Sequence, residues 1–254
     1  MKRCLVLALV VCCVSQLVIG QSKDLASYND PPSRISGVIE NYEQDYTLLD
    51  RYYSASTSPN RSARLKQLYA QYQGVLANTD FDKLNHDEQV DYILFRNYLE
   101  HETGEQDRQD KQLAEMASLI PFMKTISDLE DERRTLADID PAKAAATLND
   151  LKKTIDATQK SFESASDKPK RTVANRAART IGELRNVLKH WYTYHNGYDP
   201  MFTWWCESPY KVADEALGNY QKFVTEKLVG IKTHDKKKKK GDPIGTEAQL
   251  QEHQ

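Results

Sequence analysis

Six histidines are the first residues to weigh for chemistry: His86, His101, His190, His195, His234 and His253. A helical zinc-hydrolase motif needs two histidines one turn apart, sharing a face, with a glutamate between them as base. No two of these histidines are separated by three or four residues, and the step from His190 to His195 puts them on different faces. His101 and Glu105 do share a face in "HETGE", a spacing that predicts a solvated surface pair. The chain holds no glycine-flanked serine elbow and no phosphate-cradling glycine loop. Cys206 has no histidine nearby in sequence and reads as a small buried hydrophobe beside two tryptophans. These types and spacings predict no metal or cofactor in this chain and offer no catalytic residue.

Binding chemistry has better candidates. "GYDPMFTWWCESPY", Gly197 to Tyr210, concentrates rings in an otherwise polar chain. Gly197 reads as a helix stop and Ser208-Pro209 as a helix start, which makes the stretch a connection between helices. Adjacent residues of an extended segment point to opposite sides. The expectation is therefore that one of Trp204 and Trp205 plugs the core while the other, with Tyr198 and Tyr210, faces a groove. The alternative is that all the rings lie in the core. Tyr198, Asp199, Trp204, Trp205, Tyr210 and Arg171 are the candidate substrate- or partner-binding residues. Arg171 belongs to a basic cluster with Lys168, Lys170, Arg176 and Arg179 near a helix start, where cations oppose the dipole and imply acidic partners in the fold or a carboxylate ligand. A run of five lysines, Lys236 to Lys240, has the charge to attract nucleic acid or anionic lipid. Without interleaved aromatics it reads as a solvated loop, and neither nucleic acid nor membrane is an expected partner.

The elements that must position these residues read as helices throughout. Ile35, Val38, Ile39, Tyr42, Tyr46, Leu49 and Tyr53 share one helical face, broken at "STSPNR". Leu65, Leu68, Tyr69, Tyr72, Val75 and Leu76 form the next. Asn85 and Glu88 make a capping box for a long helix running toward Leu119, with Val90, Ile93, Leu94 and Tyr98 expected inward early and Leu113 and Met116 late. Its middle, "EHETGEQDRQDKQ", is nearly all polar and must meet solvent or line a hydrophilic groove, with solvent the expectation. After Pro121 a shorter helix carries Phe122, Ile126, Leu129 and Leu136. Asp140-Pro141 caps another, with Ala144, Ala145, Leu148, Leu151, Ile155 and Phe162 inward. A further stripe runs Ala177, Ile181, Leu184, Leu188, Trp191 and His195 to Asn196-Gly197, and a last helix from Ser208-Pro209 buries Val212, Ala216, Tyr220, Phe223 and Leu228 before Gly230. No segment alternates with period two. The predicted fold is all-α: an array of about seven helices, no sheet, over residues 31–230.

The ends of the chain differ from this body. "MKRCLVLALVVCCVSQLVIG" has a basic start and a short apolar core, the pattern of a secretory signal peptide cut after Gly20, leaving no stable membrane anchor. Removing it takes away Cys4, Cys12 and Cys13, so the mature chain has no internal disulfide and depends on packing. The expected location is secreted or periplasmic. Loss of Lys2 and Arg3 moves the formal charge from −2 to −4. Residues 21–30 read as a flexible N-terminus and residues 231–254 as a Lys-rich, disordered tail.

Several strings then take on a joint meaning: "DYTLLDRYYSASTSP", "VDYILFRNYLEHE", "LAEMASLIPF", "DPAKAAATL", "PKRTVANRAA", "NGYDPMFTWWCESPYKVADEAL", "EKLVGIK" and "GDPIG". In this order, over about Asp45 to Thr246, the chain resembles the N-terminal half of the bacterial domain-of-unknown-function family 885, exported proteins related to metal-dependent peptidases. The resemblance implies an all-helical, zinc-peptidase-like architecture whose two halves wall a deep groove for a peptide-like substrate. It places the zinc ligands, a histidine-glutamate helix and a more distal glutamate, in the C-terminal half, so no catalytic or metal residue transfers to a position here. The expectation is a truncated, non-catalytic member that pairs with a missing or separately encoded second half. The alternative is a stand-alone helical binding or scaffold module.

Overall fold

The computed structural model describes residues 33–136 and 138–231. The expectations for the leader, for residues 21–30 and for the tail beyond Ile231 lie outside them. Among the described residues there are seven α-helices and no strand. Helix α1 spans Arg34–Tyr52, α2 Pro59–Ala77, α3 His86–Met116, α4 Met123–Arg134, α5 Pro141–Ser164, α6 Arg171–His195 and α7 Pro200–Phe223. A 3-10 turn at Phe81–Lys83 precedes α3, and a π-helical turn at Val224–Val229 ends α7.

Caps explain most of the boundaries. The Ser33, Ser58 and Asp140 side chains accept from first-turn amides of α1, α2 and α5, and Pro59 and Pro141 sit where a missing amide costs nothing. At α3 Asn85 Oδ1 accepts from the Glu88 amide at 2.9 Å while Glu88 Oε2 accepts from the Asn85 amide at 3.0 Å, the expected box. Helix α3 has 31 residues, about 46 Å, and ends at Met116 rather than Leu119. Leu119 and Ile120 follow in a turn that drops both into the core.

Helix α3 is the spine that joins two cores. At its start Phe95 and Leu99 pack with Ile35, Tyr42, Leu65 and Tyr72, and the Tyr42 ring meets those of Tyr72 and Phe95 edge-on at 5.3 and 5.2 Å. At its end Met116 enters the second core, built from α4 to α7. There α6 and α7 run antiparallel: Arg171 meets Val229, Arg185 forms a bidentate pair with Asp214 at 2.7 Å and 2.7 Å, and Tyr192 stacks on Tyr210. Ala177 of α6 and Ala213 of α7 are both fully buried in this core.

Four sequence expectations change here. The last helix starts at Asp199-Pro200, not Ser208-Pro209: Asp199 Oδ1 accepts from the Met201 amide at 2.8 Å, and Pro209 lies inside the helix. An interior proline costs about 3 kcal/mol in a helix, and here the buried face Phe202, Cys206, Ala213, Leu217 and Tyr220 outweighs it. That face also turns Val212 outward. On α3, Val90, Ile93, Leu94 and Tyr98 are partly exposed, because the face carrying Phe95 and Leu99 is the one that α1 and α2 cover. Leu136 is 77% exposed with φ +55°, since α4 ends at Arg134 and the chain reverses through a left-handed residue.

Candidate functional site

The polar middle of α3 does not simply face solvent. Glu102, Glu105, Gln106 and Arg108 line a cleft of about 270 Å³ with Arg61 and Tyr69 of α2. Gln109 and Gln112 belong both to this cleft and to a second of about 170 Å³, where Thr57, Arg176, Arg179 and Thr180 meet them. The two clefts adjoin through that shared pair of glutamines and form one polar groove along the helix. The sequence contained both options, and the groove is what forms.

Beside the groove a polar cluster ties α2 to α3. Ser62 Oγ donates to Asp110 at 2.8 Å, Gln106 Nε2 donates to Ser62 Oγ at 3.2 Å, and Lys66 bridges Asp107 and Asp110 at 2.7 Å each. Burial works to raise the Asp110 carboxyl, but hydrogen bonds from Lys66, Ser62 and Gln106 overcome it and leave the group below its ordinary value. Glu105 pairs with Arg108, and Arg61 with Asp50 at 2.8 Å. His101 stands 3.9 Å from Glu105 with both side chains half-exposed, a surface pair as the spacing predicts.

One wall is the α1–α2 loop, and α4 fixes it. Ser54 Oγ donates to Glu130 at 2.5 Å, Thr57 and Ser127 hydroxyls lie 2.9 Å apart, and Ser58 Oγ and Asn60 Nδ2 donate to Asp131 Oδ2 at 2.6 and 2.9 Å. From the other side Gln109 Nε2 donates to the Ser56 carbonyl at 3.1 Å. Glu130 is only 2% exposed, and Arg133 grips it through Nε at 2.8 Å and Nη2 at 2.5 Å. Burial opposes its charge, yet the bonds from Arg133 and Ser54 hold the carboxyl below its ordinary value. Sequence reasoning missed this latch. Its signal was there: Ser127, Glu130 and Asp131 continue the inward face of Ile126, and such acids require partners, which a loop of hydroxyl residues supplies.

The six residues singled out from sequence are not gathered into one site. Trp204 is 72% exposed, Tyr198 is 91% exposed, and Trp205 is also on the surface, with the two indoles perpendicular at 5.1 Å. Neither tryptophan plugs the core, which corrects the expectation of one ring inward as well as its all-core alternative. The helix begins one loop earlier than expected, so Phe202 and Cys206 face in, with Trp191 from α6, and 204 and 205 fall on the outer face. Tyr210 is half-buried, stacked on Tyr192 at 3.8 Å. Asp199 is the cap of α7. Arg171 lies at the far end of the α6–α7 hairpin, donating from Nε and Nη2 to the Val229 carbonyl at 3.0 and 2.8 Å, and thereby closes the π-helical turn. Met201, Trp204, Trp205 and Val212 form an exposed apolar stripe on α7, away from the groove residues of α6.

Burial lifts the Cys206 thiol to about 11, its sulfur resting 3.5 Å from the Pro141 carbonyl. His195 packs against Phe202 at 5.0 Å, and burial, with the nearby Arg133 charge, lowers it. Among the described residues no group of three or more His, Cys, Asp and Glu side chains is arranged to hold a metal ion, and no helix is long and apolar enough to cross a membrane. No family model, no curated protein and no solved structure matches this chain.

Proposed function

We propose that this helical domain is the non-catalytic half of a secreted zinc-peptidase-like protein, and that its groove along α3 is one wall of the site where an extended, peptide-like substrate lies. The observation that carries this reading is Gln112, which lines both clefts, while the amides of Gln106 and Gln109 are engaged by Ser62, Asp110 and the Ser56 carbonyl. A carboxamide offers both donors and an acceptor, which is what an extended peptide backbone needs from a wall. The quoted strings resembling the N-terminal half of the peptidase-related family support the same reading. The apolar residues exposed on α3 and α7, Ile93 and Leu94 on one and Trp204 and Trp205 on the other, suit cover by a second half. The groove residues bind and orient, while proton transfer and zinc chemistry belong to that second half.

The test is direct. Titrating the purified chain with labelled hydrophilic peptides should give saturable binding and no turnover, with or without added zinc. Gln112→Ala should weaken binding about tenfold, about 1.4 kcal/mol. Absence of binding to every peptide, or zinc-dependent hydrolysis by the pure chain, refutes the proposal. A second reading, the stand-alone binding or scaffold module, draws on the closure of both cores by this chain's own side chains, with Leu99, Ile126, Leu148 and Ile181 fully buried. A monomeric chain that melts sharply and binds no hydrophobic dye favours that module, whereas self-association and dye binding favour the half-protein.

A further inference from the structure

Between Met201 and Val212 the outer face of α7 carries no charge. Met201, Trp205, Ser208 and Val212 follow one another at helical spacing on that face, with Trp204 beside them and Tyr198 just before the helix, and all six are exposed. The charged residues of this span, Glu207 and Lys211, lie on the flank and pair with each other at 2.6 Å. The inner face is already committed, since Phe202, Cys206, Ala213 and Leu217 are buried in the second core. With about 200 Å² to a whole ring, the exposed fractions of Tyr198, Trp204 and Trp205, 91%, 72% and 40%, amount to about 400 Å². That is half of the roughly 800 Å² that each partner gives to a stable interface, before Met201, Val212 and a polar rim are added. The stripe is also its own complement. In an antiparallel pair of α7 helices with the two-fold axis level with its midpoint, Met201 faces Val212 of the other copy and Trp205 faces Ser208, so each large side chain meets a smaller one. Because the face is uncharged, two copies bring no like charges together.

We propose that two copies of this chain form a closed, two-fold dimer through the uncharged stripe of α7. The contact is isologous, so it is complete at two copies. Along the α6–α7 hairpin the Arg185–Asp214 pair stands between the stripe and the groove's α6 residues, Arg176 to Glu183, so the dimer leaves the groove open in both copies. It does not depend on the groove holding a peptide. A second half would compete with the second copy for the stripe, which makes the dimer the state of the chain on its own.

Sedimentation equilibrium on the purified chain, up to about 200 μM, is expected to show a reversible monomer–dimer equilibrium with a dissociation constant of about 10 μM or tighter and no larger species. Trp205→Glu puts a carboxylate into the apolar contact and should weaken the dimer at least about a hundredfold while the helical circular dichroism spectrum is unchanged. Val212→Glu should do the same from the other end of the stripe. Adding Ser208→Lys to Trp205→Glu should recover at least about tenfold of the loss, since the pairing sets those two positions against each other. A chain that stays monomeric overturns the dimer, and one that is monomeric yet adheres to phosphatidylcholine vesicles gives the stripe to a membrane instead. Dimerisation untouched by both glutamate variants overturns the assigned face. No recovery with Ser208→Lys overturns the antiparallel pairing, and species that grow beyond the dimer overturn its two-fold closure. Each of these results leaves the groove reading standing, and a failure of peptide binding alone leaves the dimer standing.

Discussion

Replacing Glu130 with glutamine isolates the charge of the latch between the α1–α2 loop and α4. The glutamine keeps the shape and one acceptor oxygen for Ser54, but the bidentate grip of Arg133 loses its anionic half. Removing one member of a buried ion pair costs about 3 to 5 kcal/mol, mostly because the other charge stays behind. Arg133 is 14% exposed and lies 4.8 Å from the Tyr194 ring, so part of its charge is still solvated or faced by a π-cloud. The expected loss is therefore at the lower end, about 3 kcal/mol, read by urea unfolding at pH 7. The pH dependence supplies a second check. The folded Glu130 carboxyl lies below its ordinary value, so its contribution is complete above the unfolded carboxylate range and is lost as pH falls through the lower, folded value. Wild type and Glu130→Gln should then converge toward pH 3. A loss under about 1 kcal/mol at pH 7, or a gap that survives undiminished at pH 3, would refute the argument that this pair is a buried, charge-dependent link.

Two further outcomes follow from α7. Phe202→Ala removes a fully buried ring and should cost about 3 to 5 kcal/mol, while Trp204→Ala, on the surface, should stay within about 0.5 kcal/mol; comparable losses in a thermal melt would contradict the assigned helix face. Cys206, buried with its thiol lifted to about 11, is ionised in roughly one molecule per thousand at pH 8 and should react with Ellman's reagent only after unfolding; rapid labelling of the native chain would overturn its placement.

Local rules carried much of the fold. Asn85 with Glu88 and Asp140 with Pro141 fix helix starts through atoms a few residues apart, so a sequence contains the whole cause. The start of α7 was ambiguous because Asp199-Pro200 and Ser208-Pro209 carry the same signal. The deciding term is the apolar spacing of Phe202, Cys206, Ala213, Leu217 and Tyr220, which only a helix crossing Pro209 can bury. On α3, Val90, Ile93 and Leu94 compete with Phe95 and Leu99 for the inward face, and neighbouring helices settle the contest. The groove was least legible, since Gln112 acquires meaning only where α6 and the α1–α2 loop meet it, more than 50 residues away in sequence.

The spine helix also sets an order of assembly. Every buried side chain of the first core, Ile35 to Leu99, precedes in sequence the first one of the second, Met116. As the chain leaves the ribosome, the first helical trio holds its complete set of partners before α4 exists, and it can collapse as a unit through short-range contacts. The rest of α3 is at that stage an unfinished rod whose last turns have nothing to pack on. Its C-terminal half then becomes the template on which the later helices condense, and the smaller cleft of the groove, where Thr57 and Gln112 face Arg176 and Thr180, is the seam left where the early and late units close on each other.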